Sequence, residues 1–214
     1  MTSTIVIAGG HGKIALRLAR LLSARGDSVR SLIRNPGHQA GVRAVGAEPM
    51  VADMEALDSL AEYVEGADGV VFAAGAGPGS GAERKRTVDF LAAVKIRDAA
   101  LATGVRRYLM VSSIGAGDPA SGPESMRPYL QAKADADAAL AASELDWTIV
   151  RPGMLTDDPG TGMVRVGESL ERDAVTRDDV AAVLAGCLDE PRSVHKTFEL
   201  MQGETPIAEA LAAL

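Results

Sequence analysis

The stretch TIVIAGGHGKIALRLARLL, residues 4–22, limits the possible folds more than any other part of the chain. An apolar run ends in glycines and passes at once into helical spacing, with Ile14, Leu18 and Leu21 on one face. A strand that feeds straight into a helix returns to its sheet by a right-handed crossover, so the next strand lies parallel to the first. The alternation then repeats. Short Val- and Ile-rich runs stand at 4–8, 29–33, 48–52, 69–74, 107–112, 147–151 and 197–201. Helical spacing fills 13–25, 39–45, 55–64, 82–102, 126–143, 177–188 and 205–213. The pattern predicts an α/β fold, a parallel sheet covered on both faces, with residues 1–214 forming a single domain because no linker or repeat divides them. The two longest Gly- and Pro-rich loops, 75–81 and 113–124, follow the carboxyl ends of strands, the edge where open α/β sheets bind ligands.

Composition removes several classes of function. A net charge of −7 with no Lys/Arg-rich block argues against nucleic acid, because neutralising phosphates needs a basic face. The lone Cys187 lies in the apolar helical stretch VAAVLAGCL and reads as a buried thiol. The run from Ile5 to Ala8 is too short for a signal peptide, and no stretch reaches the length of a membrane span. The expectation is a cytoplasmic protein, monomer or homodimer, that acts on a small molecule without nucleic-acid or membrane partners.

The glycines narrow this further. Read from Gly10 the turn is G-x-G-x-x-A, and read from Gly9 it is G-x-x-G-x-x-A, with Ala15 in the third glycine position. Either pattern puts bare backbone where a pyrophosphate must approach a helix amino end, so Gly9, His11, Gly12, Lys13 and Ile14 are candidate dinucleotide contacts. At the end of the second strand stands Arg34, with no carboxylate near it in sequence. A carboxylate there would accept from ribose hydroxyls, but would repel a 2′-phosphate by about 4 kcal/mol per charge pair at about 4 Å and an effective dielectric of about 20. Arginine matches a phosphate in charge and geometry, which points to NADP(H), with His11 or Lys13 assisting. Asp53, with Met54 beside it, is placed to accept from the adenine amino group or to cap a helix.

These residues carry a family likeness. The segments GGHGKIA, VVFAAGAG, VDFLAAVKIRDAA, MVSSIGA, YLQAK, IVRPGMLTD and TRDDVAAVL follow one another as in the atypical short-chain dehydrogenases/reductases, which the chain resembles over nearly its whole length. The resemblance implies a Rossmann-type doubly wound sheet with a small C-terminal lid. It further implies that Ala73, Ala74 and Gly75 pass under the adenosine half of the cofactor, and that Pro152, Gly153 and Met154 lie beside the nicotinamide.

The chemistry rests on YLQAK. Tyr129 and Lys133 are four apart and share a helix face, so an ammonium can favour the phenolate of a nearby proton donor. Ser113, or its neighbour Ser112, leaves the fifth strand and can hold a substrate oxygen. In the family a serine, this tyrosine and this lysine serve hydride transfer, and the lysine also binds the nicotinamide ribose; Ser112 joins the cofactor contacts. One departure stands out: conventional members carry Asn where this chain has Asp89, which either holds a water relay or caps a backbone amide. A reductase of a small carbonyl or quinone-like compound is expected, with a non-catalytic NADP(H) sensor like the NmrA-like regulators as the alternative. Arg84, Lys85 and Arg86 read as a solvated helix start, the alternative being that one of them reaches the cofactor phosphates, and His38 and His195 lack partners at metal spacing, so no metal site is expected.

Overall fold

All seven apolar runs form strands in the computed structural model, which describes residues 2–77 and 79–214. The strands are β1 (Thr4–Ala8), β2 (Ser28–Ile33), β3 (Glu48–Val51), β4 (Gly69–Phe72), β5 (Arg107–Val111), β6 (Asp146–Pro152), β7 (Met154–Thr156), β8 (Met163–Gly167), β9 (Ala174–Thr176), β10 (Lys196–Gln202) and β11 (Thr205–Pro206). Nine of them make one sheet in the order β3-β2-β1-β4-β5-β6-β10-β8-β11. From β3 across to β10 every pairing is parallel; β8 runs antiparallel to β10 and β11. The chain winds outward from β1 to β3, then crosses back to lay β4 on the other side of β1. That reversal leaves a crevice at the carboxyl ends of β1 and β4.

The helices are α1 (Lys13–Ala24), α2 (Gln39–Arg43), α3 (Ala61–Val64), α4 (Ala82–Lys85), α5 (Ala92–Thr103), α6 (Arg127–Ala141), α7 (Arg177–Asp189) and α8 (Ile207–Ala212). Side chains alternate across β1, so Ile5 and Ile7 pack with α1, α7 and α8 on one face while Val6 and Ala8 pack with α3, α5 and α6 on the other. Within α1 the buried stripe is Ile14, Ala15, Leu18, Ala19 and Leu22, whereas Leu21, expected on it, is 42% exposed. The helix therefore turns its inner face one position further along than the spacing of the large residues implied.

Two expectations are corrected. Residues 55–64 do not form one helix: α3 holds only Ala61–Val64, because the Asp53 carboxylate accepts the Glu55 amide at 3.0 Å and closes a turn that competes with helix. Beyond Pro152 the chain supplies not one strand and two helices but five strands and two helices; β7 and β9 pair as a separate ribbon, while β8, β10 and β11 widen the main sheet. Runs such as MVRVG and AVT are too short and too interrupted to announce strands. Between α4 and α5, Arg86–Leu91 form a π-helical stretch that joins them without a break. No helix among the described residues is long and apolar enough to cross a membrane.

Thr176 caps α7, accepting from the Asp179 amide at 3.0 Å and donating to its carboxylate at 2.9 Å. One turn from its end the helix buries Cys187 completely, and burial pushes that thiol up to about 12 from its ordinary 9.0. Since the thiolate is the reactive form, Ellman's reagent at neutral pH should leave the folded chain unmodified and titrate its single thiol only after unfolding in guanidinium. The unfolded thiol ionises first as pH rises, so Cys187 should make stability fall between pH 9.0 and about 12, and Cys187→Ala should flatten that part of the profile. Rapid labelling of the folded chain would contradict this packing.

Candidate functional site

The carboxyl edge of the sheet opens onto a cleft of about 1210 Å³, lined by the turn before α1, the loops after β4 and β5, the start of α6 and the segment after β6. The three glycines of the turn have different duties. Gly9 takes φ +83, and a Cβ there would come within 2.6 Å of the Ala74 backbone; at Gly10 a Cβ would meet the Ser31 side chain at 2.5 Å. Those two are required by the packing of β1 against its neighbours. Gly12 is extended at φ −61, ψ 151, exposed, and lines the cleft. No side chain caps α1 and its first turn holds no acid, which leaves the leading amides and their positive end available to an anion. A dinucleotide pyrophosphate fits this cradle. Lys13 and Ile14 line the cleft beside it. Lys13 hydrogen-bonds Asp157, which also takes Arg177 at 3.0 Å and Arg17 at 3.4 Å, and these cations, Lys13 first, hold the Asp157 carboxyl below its usual range.

The positions expected to grip the adenosine lie past the ends of β2 and β3. The His11 and His38 rings stack with centroids 3.7 Å apart, and partial burial together with the neighbouring His38 lowers the pKa of His11. Arg34 is exposed but not free of carboxylates: Glu55 reaches it at 3.1 Å, and the same carboxylate takes Arg84 at 3.1 Å and the Thr87 hydroxyl at 2.6 Å. The sequence reading that no carboxylate stands near Arg34 is thus corrected, because β2 and β3 are neighbours and their loops meet across 21 positions of chain. Asp53 spends one oxygen on the Glu55 amide, and the carbonyl of Met54 accepts from Lys95 at 3.1 Å.

At the other end Ser113, Tyr129 and Lys133 line one cleft with Ala73, Ala74, Gly75 and Gly153. Lys133 is only 3% exposed. Its ammonium donates to the carbonyls of Val111 at 3.1 Å and Ala74 at 3.5 Å, lies 3.3 Å from Asp89 Oδ1, and sits 5.9 Å from the centre of the Tyr129 ring. Asp89 belongs to the π-helical stretch, whose wider turn carries a buried carboxylate into the site, and its other oxygen accepts the Ala76 amide at 3.2 Å. Of the roles weighed for this residue the amide cap is present, and the pair with Lys133 is one the sequence reading did not weigh. Ser113 makes only a 3.3 Å bond to its neighbour's carbonyl, which leaves its hydroxyl free to exchange for a ligand. Ser112 is different. It also lines the cleft, but its side chain is buried and donates at 2.9 Å to Asp137, which Arg151 also binds at 2.9 Å. Burial raises the Asp137 pKa against the pull of Ser112 and Arg151. Pro152 is buried and its carbonyl receives the Ile114 amide at 3.0 Å, while Met154 stands 70% exposed at the cleft.

Sequence reasoning passed over Arg172 and Arg177, which line the cleft together with Lys85. Lys85 had been assigned to a solvated helix start, and nothing in the local pattern around Arg172 marks a site.

A family model described as NAD(P)H-binding matches residues 9–191. The uncharacterized sugar epimerase YhfK of Bacillus subtilis is 38% identical over 98% of this chain and 99% of its own length. A solved protein of Bacillus halodurans, provisionally assigned as an NAD-dependent epimerase/dehydratase, is 39% identical with a TM-score of 0.94, over 99% of this chain and 100% of that one. The oxidoreductase ylbE of Lactococcus lactis is 27% identical with a TM-score of 0.87, over 99% of this chain and 96% of that one.

Two substitutions separate packing from binding in this site. Gly12→Val should leave a cooperatively folded chain yet weaken NADPH binding at least tenfold by fluorescence titration, because the extended backbone at Gly12 suits valine and its Cβ meets only the Gly9 carbonyl closely, at 3.1 Å. Asp89→Ala should cost about 3–5 kcal/mol in urea unfolding, since it leaves Lys133 buried without its counter-charge; a loss under about 1 kcal/mol would show that the pair contributes little.

Proposed function

Since the chain belongs to the NAD(P)H-binding family, we propose that it is an NADP(H)-dependent oxidoreductase of the atypical short-chain dehydrogenase/reductase type that reduces a small carbonyl or quinone-like substrate. The observation that carries this reading is the single cleft shared by the bare turn at Gly12 and the side chains of Ser113, Tyr129 and Lys133. The reduced cofactor, when bound, supplies the hydride. Gly12, Lys13 and the uncapped amino end of α1 hold the pyrophosphate. Ser113 Oγ donates to the carbonyl oxygen and orients it. Tyr129 Oη delivers the proton to that oxygen, so the carbonyl gains hydride and proton and leaves as an alcohol. Lys133 holds a positive charge beneath the tyrosine ring, with Asp89 and two carbonyls fixing its position. Because those partners already occupy the ammonium, its contact with a cofactor ribose requires one of them to yield.

The preference for NADP(H) is supported by Arg34 and the stacked His11 and His38 at the far end. Glu55 competes for Arg34, but the guanidinium is 54% exposed, and exposed pairs of this kind contribute only about 0–1 kcal/mol. A phosphate dianion displaces such a partner readily. The regulator reading draws on one observation, the internal satisfaction of Lys133.

Fluorescence titration should show NADPH binding at least tenfold more tightly than NADH, a preference that Arg34→Asp removes; equal affinities in wild type would overturn the NADP(H) assignment. In a screen of small aldehydes, ketones and quinones, Tyr129→Phe should bind NADPH normally and lose about a hundredfold or more of the turnover, the scale of a positioned proton donor. Turnover that survives the substitution would remove Tyr129 from the mechanism. Tight NADPH binding without turnover on any acceptor would favour the regulator.

A further inference from the structure

The cleft is more basic than the protein around it. Five cations line it, Lys13, Lys85, Lys133, Arg172 and Arg177, against the two carboxylates of Asp89 and Asp173, in a chain of net charge −7. Three of the five are accounted for. Lys13 and Arg177 share Asp157, and Lys133 pairs with Asp89. Lys85 and Arg172 have no carboxylate partner among the described residues, whereas most of the other Lys and Arg side chains that approach this site have one.

Their positions give them meaning. Lys85 Nζ lies 5.8 Å from the centre of the Tyr129 ring. The Arg172 guanidinium stands 3.0 Å from where a Cβ of Gly115 would be, against the loop that begins with Ser113. Lys85 therefore stands beside the tyrosine that would protonate a substrate oxygen, and Arg172 against the loop that carries the serine that would hold it. Beside them the wall is apolar: Met126 and Met154, 40% and 70% exposed, line the cleft with Ile114, Leu130 and Leu155. Arg172 is flanked in sequence by Glu171 and Asp173, neither of which pairs with it; Asp173 accepts the Ala174 amide at 2.7 Å.

We propose that Lys85 and Arg172 form an anion-binding subsite, and that the substrate is a carbonyl compound bearing a carboxylate or phosphate close to the reacting carbonyl, with an apolar portion laid against Met126 and Met154. The carbonyl part rests on the reductase reading above; the anion site rests on the two cations alone. A planar guanidinium and a mobile ammonium bind such an anion by charge-assisted hydrogen bonds, and the excess of cations over carboxylates in the cleft lining makes a cationic substrate a poor match for this end of it.

Calorimetry on the chain saturated with NADP⁺, which permits no reduction, tests this with phenylpyruvate against its methyl ester and dihydroxyacetone phosphate against dihydroxyacetone. At least one acid should bind tenfold or more tightly than its neutral partner, and the advantage should shrink as salt is raised. Which acid wins tells carboxylate from phosphate. Arg172→Met and Lys85→Met should each cut the acid's affinity about tenfold while leaving NADPH affinity and the neutral compound unchanged. Equal binding of acids and neutral partners, or no binding of either acid, overturns the subsite, as does a parallel loss of NADPH affinity, which would assign these cations to the cofactor. Acid binding without NADPH oxidation would sink the reductase reading and leave the subsite standing; oxidation supported by neutral carbonyls alone would do the reverse.

Discussion

The ammonium of Lys133 lies beneath the cleft at 3% exposure, and a buried cation of this kind persists only where its charge and its donors are matched. Four segments meet to do this: the ends of β4 and β5 through the Ala74 and Val111 carbonyls, the π-helical stretch through Asp89, and α6, which carries the lysine itself. The same carboxylate holds the Ala76 amide, so the loop after β4 is tied to the helix that follows it. The floor of the site is thus an electrostatic knot, and the side chains above it inherit their positions from it.

A second knot lies deeper. Ser112, Asp137 and Arg151 join β5, α6 and β6 behind the cleft, with Asp137 one further turn along the helix from Lys133. Ser112 and Ser113 follow the end of β5 and both line the cleft, but the first hydroxyl is tied to Asp137 while the second meets only its neighbour's carbonyl.

Charge is distributed with the same economy. The acidic surface carries a cleft whose lining is cationic, and cationic clefts in low-dielectric walls concentrate anions. At the turn before α1 the helix end and Lys13 suit a pyrophosphate, and further along the wall Lys85 and Arg172 stand apart from it. One groove can therefore receive two anionic groups at two places.

The residue pattern alone was enough to place the seven principal strands, the glycine turn and the buried Cys187, because each depends on short-range spacing or on local backbone demand. It also put Tyr129 and Lys133 on one helix face, since a separation of four is a property of the helix itself. What it left undecided depends on segments brought together from afar. Whether Arg34 meets a carboxylate was settled by the adjacency of β2 and β3, which carries Glu55 to it. Which of Gly9, Gly10 and Gly12 lines the cleft was settled by the approach of Ala74 and Ser31 to the first two. That Lys133 is paired, and that Lys85 and Arg172 are not, follows from side chains converging out of separate loops. Local periodicity encodes how each segment buries its own face; the partner of a charge is a long-range property, and only the closed tertiary structure selects it.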